Sequence, residues 1–176
     1  MPKKGKIKNG NNKAKHTKLL NQKKNKIREE KLRNKKNIKA LMIKSNLYKS
    51  MCPCGSGNSY QFCCAIAHND IDKVKTAEQL MRSRYTAFVL GNIDYLMESH
   101  HSTTRPINEK EEILKWSKSV KWDGLEVLES TNGKELDDVG SVEFKAKFIE
   151  FNENMIIHEN SKFIKENNIW VYLGEF

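Results

Sequence analysis

From residue 70 onward the apolar positions repeat in two regimes, and the change between them sets the order of elements. Thr76-Ala77-Glu78-Gln79 has the form of a capping box, with Thr at the cap and Gln three residues on. Ala77, Leu80, Met81, Ala87 and Phe88 then share one helical face, and Gly91-Asn92 supplies the stop. A second short helix is expected from Ile93 to about Ser99. Asn108-Glu109-Lys110-Glu111 caps a third, which carries Ile113, Leu114 and Trp116 to about Lys118. Beyond it the period drops from 3.6 to 2. Trp122, Leu125 and Val127 begin strand character, and Val142, Phe144, Ala146 and Phe148 alternate with Glu143, Lys145 and Lys147. Residues 155–165 and 169–174 give two more strands, with turns at Asn132-Gly133 and Asn167-Asn168. Helices followed by an antiparallel meander predict an α+β fold in which the sheet curls over the helices.

The first fifty residues carry no such pattern. Leu19, Leu20, Ile27, Leu32, Ile38, Leu41, Met42 and Ile43 are too scattered for an apolar stripe, and no aromatic precedes Tyr48. Residues 1–50 are therefore expected to be a disordered or conditionally helical arm, with 17–45 able to become helical on a polyanion. Charge separates this arm from the rest. It holds 18 Lys+Arg against 2 Glu, a net of +16, whereas residues 51–176 hold 14 against 20, a net of −6, which sums to the chain's +10. Lysine predominance suits sequence-independent contact with phosphates, so RNA or the ribosome is the expected partner of the arm. The alternative is a solubilising tail; a transit peptide would favour arginine. No apolar run is long enough to span a membrane or to act as a secretory signal, and free thiols with no export signal imply the cytoplasm.

All four cysteines fall within thirteen residues, Cys52-Pro53-Cys54-Gly55-Ser56-Gly57-Asn58-Ser59-Tyr60-Gln61-Phe62-Cys63-Cys64. Thiolates are soft ligands that suit tetrahedral zinc, and four of them close the site to catalysis. The expectation is a structural Zn2+ knuckle over 51–68 with Cys52, Cys54, Cys63 and Cys64 as ligands. A disulfide pair or four unrelated thiols is the alternative, the disulfide opposed by the strain between adjacent cysteines and by clustering in one loop.

The string C-P-C-G-S-G-x5-C-C resembles the SEC-C motif, the zinc knuckle best known from the C-terminus of the SecA ATPase. Leu80-Met81-Arg82-Ser83-Arg84-Tyr85-Thr86-Ala87-Phe88-Val89 is similar to the bacterial YchJ family, as are Asp94-Tyr95-Leu96, His101, Arg105-Pro106, His158-Glu159-x-Ser161-x-Phe163 and Trp170-x-Tyr172-x-Gly174. The resemblance covers about residues 51–174. It implies that 70–176 adopt the cone-shaped fold of nuclear transport factor 2, with a hollow between helix and sheet, and it implies protein partners in the translation or export machinery. Fold alone licenses no activity. The sequence departs from the family where His100-His101-Ser102 replaces Trp-His-Pro and where Leu173-Gly174 replaces Asp-Gly. Many members also carry a second SEC-C motif at the C-terminus, whereas this chain stops at Phe176. The arm would then supplement the single knuckle.

Several polar residues stand where apolar ones are expected. Arg84 lies on the apolar stripe of the first helix, and Glu159 shares a strand face with Ile157, Ser161 and Phe163. A buried guanidinium needs a carboxylate to offset its desolvation, so an Arg84–Glu159 pair is expected inside the cone. Arg82, Tyr85, His101, Arg105, Trp122, Trp170 and Tyr172 are candidates to line the same hollow, the aromatic ones serving otherwise as core. No P-loop, G-x-S-x-G or G-x-G-x-x-G occurs, nor an evident nucleophile–base pair. The expected function is a non-enzymatic binding or adaptor protein, its knuckle on a protein partner and its arm on RNA or the ribosome. The alternative is a small-molecule-binding protein or enzyme using the hollow.

Overall fold

In a computed structural model, which describes residues 10–176, the chain forms two compact units, one ending at Asn46 and the other running from Leu47 to Phe176. Residues 1–9 of the basic arm lie outside the described residues. Helix α1 covers Gly10–Lys49, within the stretch expected to be a disordered or conditionally helical arm. Lys, Gln, Glu, Leu and Ala favour helix over its length; among its described apolar residues Ile27, Leu32 and Met42 stand exposed, while Leu47 and Tyr48 at its end are partly buried.

In the second unit, helix α2 (Cys64–Asn69) follows the cysteine loop. Helices α3 (Ala77–Leu90), α4 (Ile93–Glu98) and α5 (Lys110–Ser119) come next. Strands β1 (Lys121–Asn132), β2 (Val139–Glu150), β3 (Glu153–Glu166) and β4 (Ile169–Glu175) form one antiparallel sheet in sequence order. Thr76 caps α3 by accepting from the Gln79 N–H at 3.1 Å, while the Gln79 side chain accepts from the Lys75 N–H at 2.8 Å. Gly91, at φ +64°, ends it, and the Asn92 N–H returns to the Ala87 carbonyl at 2.8 Å. The cap expected at Asn108 is absent. A 3-10 turn, Ile107–Glu109, leads in from Pro106 instead, and α5 starts without a side-chain cap.

The sheet register places Phe144 opposite Glu159, Ala146 opposite Ile157 and Val142 opposite Ser161, so the inward row of β2 and that of β3 coincide. Trp122 and Leu125, three residues apart, reach the same face because a bulge between Trp122 and Gly124 inserts one extra residue. Helix α3 lies against this face. Ala77, Leu80, Met81 and Ala87 join Leu96, Phe163 and Trp170 in the main core. Its opposite side is also buried, with Ser83, Tyr85 and Thr86 turned toward the cysteine loop.

Candidate functional site

The cysteine loop is folded by its own backbone. The Cys52 N–H donates to the Asn58 carbonyl at 2.8 Å, the Gly55 N–H to the Cys52 carbonyl at 3.2 Å, and the Tyr60 N–H to the Ser50 carbonyl at 2.8 Å. A 3-10 turn at Tyr60–Phe62 presents Cys63, and Cys64 opens α2. The four Sγ atoms all lie within 4.8 Å of one another, with Cys54 and Cys63 3.5 Å apart and Cys63 and Cys64 3.9 Å apart. A tetrahedral ion held by thiolates at about 2.3 Å needs sulfurs about 3.8 Å apart, so the set fits one metal ion. Hydrogen bonds with Cys52 and Cys64 push the Cys54 thiol far down in pKa, while those with Cys52 and Cys54 push Cys64 far up. One thiolate is stabilised and the next opposed, a conflict that a bound cation would resolve.

Around the sulfurs stands a second ring of donors. The Thr86 hydroxyl donates to Cys64 Sγ at 3.3 Å, Ser56 Oγ lies 3.2 Å from Cys63 Sγ, and Arg82 Nη1 donates to the Cys54 carbonyl at 3.0 Å. His68 ties the loop to α3. Its Nε2 lies 2.8 Å from the Ser83 carbonyl, which can only accept, so Nε2 carries the proton and Nδ1 accepts from the Tyr60 hydroxyl at 2.8 Å. Burial lowers the pKa of His68, in keeping with this neutral form.

A second site lies on the far side of α3. A cavity of about 240 Å³ opens between the helices and the sheet, with Trp116, Trp122, Phe88 and Phe144 among its walls. Arg84, Tyr172, Glu159 and Ser161 line it as well. Arg84 is 8% exposed, and its Nη1 donates to the Leu96 carbonyl at 2.9 Å and to Ser99 Oγ at 2.8 Å. Its guanidinium stacks 4.6 Å from the centre of the Tyr172 ring. The Tyr172 hydroxyl donates to Glu159 Oε1 at 3.0 Å, and so does the Ser161 hydroxyl. Burial, followed by Glu159, raises Tyr172 to about 12. His100 packs edge-on against Tyr172 at 5.0 Å, and burial followed by the charge of Arg84 pulls it down to about 4.

A family model described as the YchJ middle NTF2-like domain matches residues 76–174. A UPF0225 protein of Vibrio parahaemolyticus is 44% identical over 124 residues, covering 70% of this chain and 73% of its own. The chain belongs to the YchJ family. A UPF0225 protein of Streptomyces coelicolor is 39% identical over 126 residues, 71% of this chain and 94% of its own. Among solved structures, a SEC-C motif containing protein from Rhodopseudomonas palustris is 30% identical with a TM-score of 0.62, covering 71% of this chain and 96% of that one. One from Psychrobacter arcticus is 31% identical with a TM-score of 0.61, covering 72% and 82%. The α+β, NTF2-like fold and the SEC-C motif expected from the sequence are thus those of its relatives.

Within this YchJ fold the expected Arg84–Glu159 ion pair does not form. The Tyr172 ring stands under the guanidinium, its hydroxyl holds Glu159, and among the described residues no carboxylate oxygen lies within 4.0 Å of Arg84. Tyr85 and Trp122 line the cavity, as do Arg84, Glu159 and Tyr172. The other four candidates lie elsewhere. Arg82 braces the cysteine loop and pairs with Glu78 at 2.8 Å. His101 lies 3.6 Å from Glu166 in the loop after α4. Arg105 Nη2 donates to the His100 carbonyl at 2.8 Å, and Trp170 is core, its indole N–H on the Lys75 carbonyl at 3.1 Å. Sequence reasoning missed Thr86, Ser99 and His100. The available signal was a polar residue in an otherwise buried helical turn, which marks Thr86 once α3 is known to be covered on both sides; Ser99, which ends α4, carried no such mark.

Proposed function

We propose that this YchJ-family protein is a non-enzymatic adaptor, its SEC-C knuckle holding zinc and docking on a protein partner. Four thiolates at tetrahedral spacing suit zinc among the common ions, and with no open coordination position the ion would serve folding. The observation that carries the docking role is the apolar face beside the ligands. Phe62 is 73% exposed and Ile66 46% exposed, flanking Cys63 and Cys64 on a loop pinned by hydrogen bonds. A rigid aromatic anchor of this kind is what buried interfaces use. Partners in the translation or export machinery are those the SEC-C resemblance suggests, and a reducing cytoplasm would keep the thiols free.

The basic arm supports a second contact, with RNA or the ribosome. Its net charge of +16 resides mainly in lysine, and the exposed residues of α1 leave that charge available to phosphates. One experiment separates the two contacts. Affinity purification from native cytoplasm is run at low and high salt with the full chain, with Phe62→Asp and with residues 1–45 deleted. Phe62→Asp should keep its metal and lose the salt-resistant protein partner, and the deletion should lose only the salt-sensitive ribosome association. A metal-replete Phe62→Asp protein that captures the same partners would overturn the docking role. Ribosome co-sedimentation that survives the deletion would overturn the role of the arm.

A further inference from the structure

Arg84 has donors that the protein does not use. Its Nη1 is engaged by the Leu96 carbonyl and Ser99 Oγ, and among the described residues no hydrogen bond takes up Nε–H or Nη2–H. Among the described residues no buried side-chain N or O lacks a partner, so these free groups reach open space, and the space Arg84 lines is the 240 Å³ cavity. Burial lowers the guanidinium pKa only to about 10, so it remains a cation at neutral pH. No carboxylate among the described residues forms a direct ion pair with it, although the charge of Glu159 is felt from nearby. Tyr172 offers a ring face, His100 is uncharged, and Glu159 already accepts from two hydroxyls through Oε1. One helical turn along α3, Phe88 packs with Trp116 at 6.2 Å and Trp122 at 5.9 Å to make an aromatic wall.

A buried cation lacking a direct counter-ion, above an apolar chamber, is complementary to a compact apolar anion. We propose that the cavity is a binding site for a small aromatic or aliphatic monocarboxylate, its carboxylate bidentate on Nε and Nη2 of Arg84 and its apolar body against Phe88, Trp116 and Trp122. The planar fork of arginine matches a carboxylate in this way. The size is suitable, since a cavity of roughly 150 Å³ already encloses a benzene ring. This role is independent of what the knuckle docks on.

Phenylacetate is the probe, phenylacetamide its uncharged control, and quenching of the Trp116 and Trp122 emission the readout on the full chain. Phenylacetate should bind saturably with a dissociation constant on the order of 1 mM, as befits so few atoms. Phenylacetamide should bind at least about tenfold more weakly, having lost the charge-assisted pair. Arg84→Gln should remove that preference for the acid. If it fails to fold, Glu159→Gln in the same cavity lining gives the complementary test, because deleting the nearby negative charge should tighten phenylacetate about three- to tenfold. Equal affinity for acid and amide in the wild type, absence of saturable quenching by phenylacetate, or no tightening in Glu159→Gln would overturn the assignment.

Discussion

Removing the proposed zinc should unfold more than the knuckle. On sequence alone, loss of Cys54 is expected to release residues 51–68 and leave the cone intact. The packing argues otherwise, because Cys52, Cys54, Tyr60, Cys64 and Ala65 share one buried cluster with Tyr85 of α3 and Ala146 of β2. Unfolding the loop re-exposes Tyr60, roughly half of Tyr85, and several small apolar groups, worth together about 4–5 kcal/mol at 1.5–3 kcal/mol per large side chain. Two cross-connections also go, from Arg82 to the Cys54 carbonyl and from His68 to the Ser83 carbonyl, at about 1 kcal/mol each. The total of about 6 kcal/mol matches the whole net stability of a typical small domain. At about 3–4 °C per kcal/mol, Cys54→Ser or chelation should lower Tm by about 20 °C in a single transition. Calorimetry with and without chelator, followed in parallel by tryptophan emission, tests this, since Trp122 lies 5.6 Å from Tyr85 and should report at the same temperature. A second, chelator-insensitive transition carrying the tryptophan signal would refute the shared core.

Two further outcomes follow from the same geometry. Gly133→Ala should cost about 2–4 kcal/mol in urea unfolding, because its backbone has φ +74° and the new Cβ would lie 2.6 Å from the Ala77 Cβ; combining it with Ala77→Gly should recover part of the loss, and full additivity would refute the contact. His68 and His100 both have folded pKa values below the unfolded value, so the unfolded chain binds more protons and their contribution is present above about pH 6.5 and lost as pH falls, for His100 toward pH 4. The urea-derived stability should therefore fall by about 1–2 kcal/mol for His100 between pH 7 and 5, after allowing for the water that reaches it, and His100→Gln should flatten that part of the profile.

Much of the molecule was legible as pattern. The capping box at Thr76, the stop at Gly91-Asn92 and the alternation from Val142 to Phe148 each depend on contacts a few residues apart, and local periodicity encodes those directly. One turn escaped notice. Phe151 and Asn152, both at positive φ, join β2 to β3, and phenylalanine is no turn signal; the pairing of Glu150 with Glu153 forces the tight reversal. Asn108 illustrates the converse, a plausible cap that the chain bypasses through the 3-10 turn from Pro106.

The C-x-C-x8-C-C spacing by itself determined that four sulfurs could meet, since no tertiary contact is needed to bring together ligands within thirteen residues. Arg84 and Glu159 were also marked from sequence as polar intruders on apolar faces. What joins them could be decided only by the sheet. Tyr172 enters from β4, beside Phe163, and its ring takes the place under the guanidinium that a carboxylate was expected to fill. The burial of α3 on both sides was settled at the same level. One side covers the cavity and the other the knuckle, and long-range packing, which no local period records, makes the four cysteines part of a shared core.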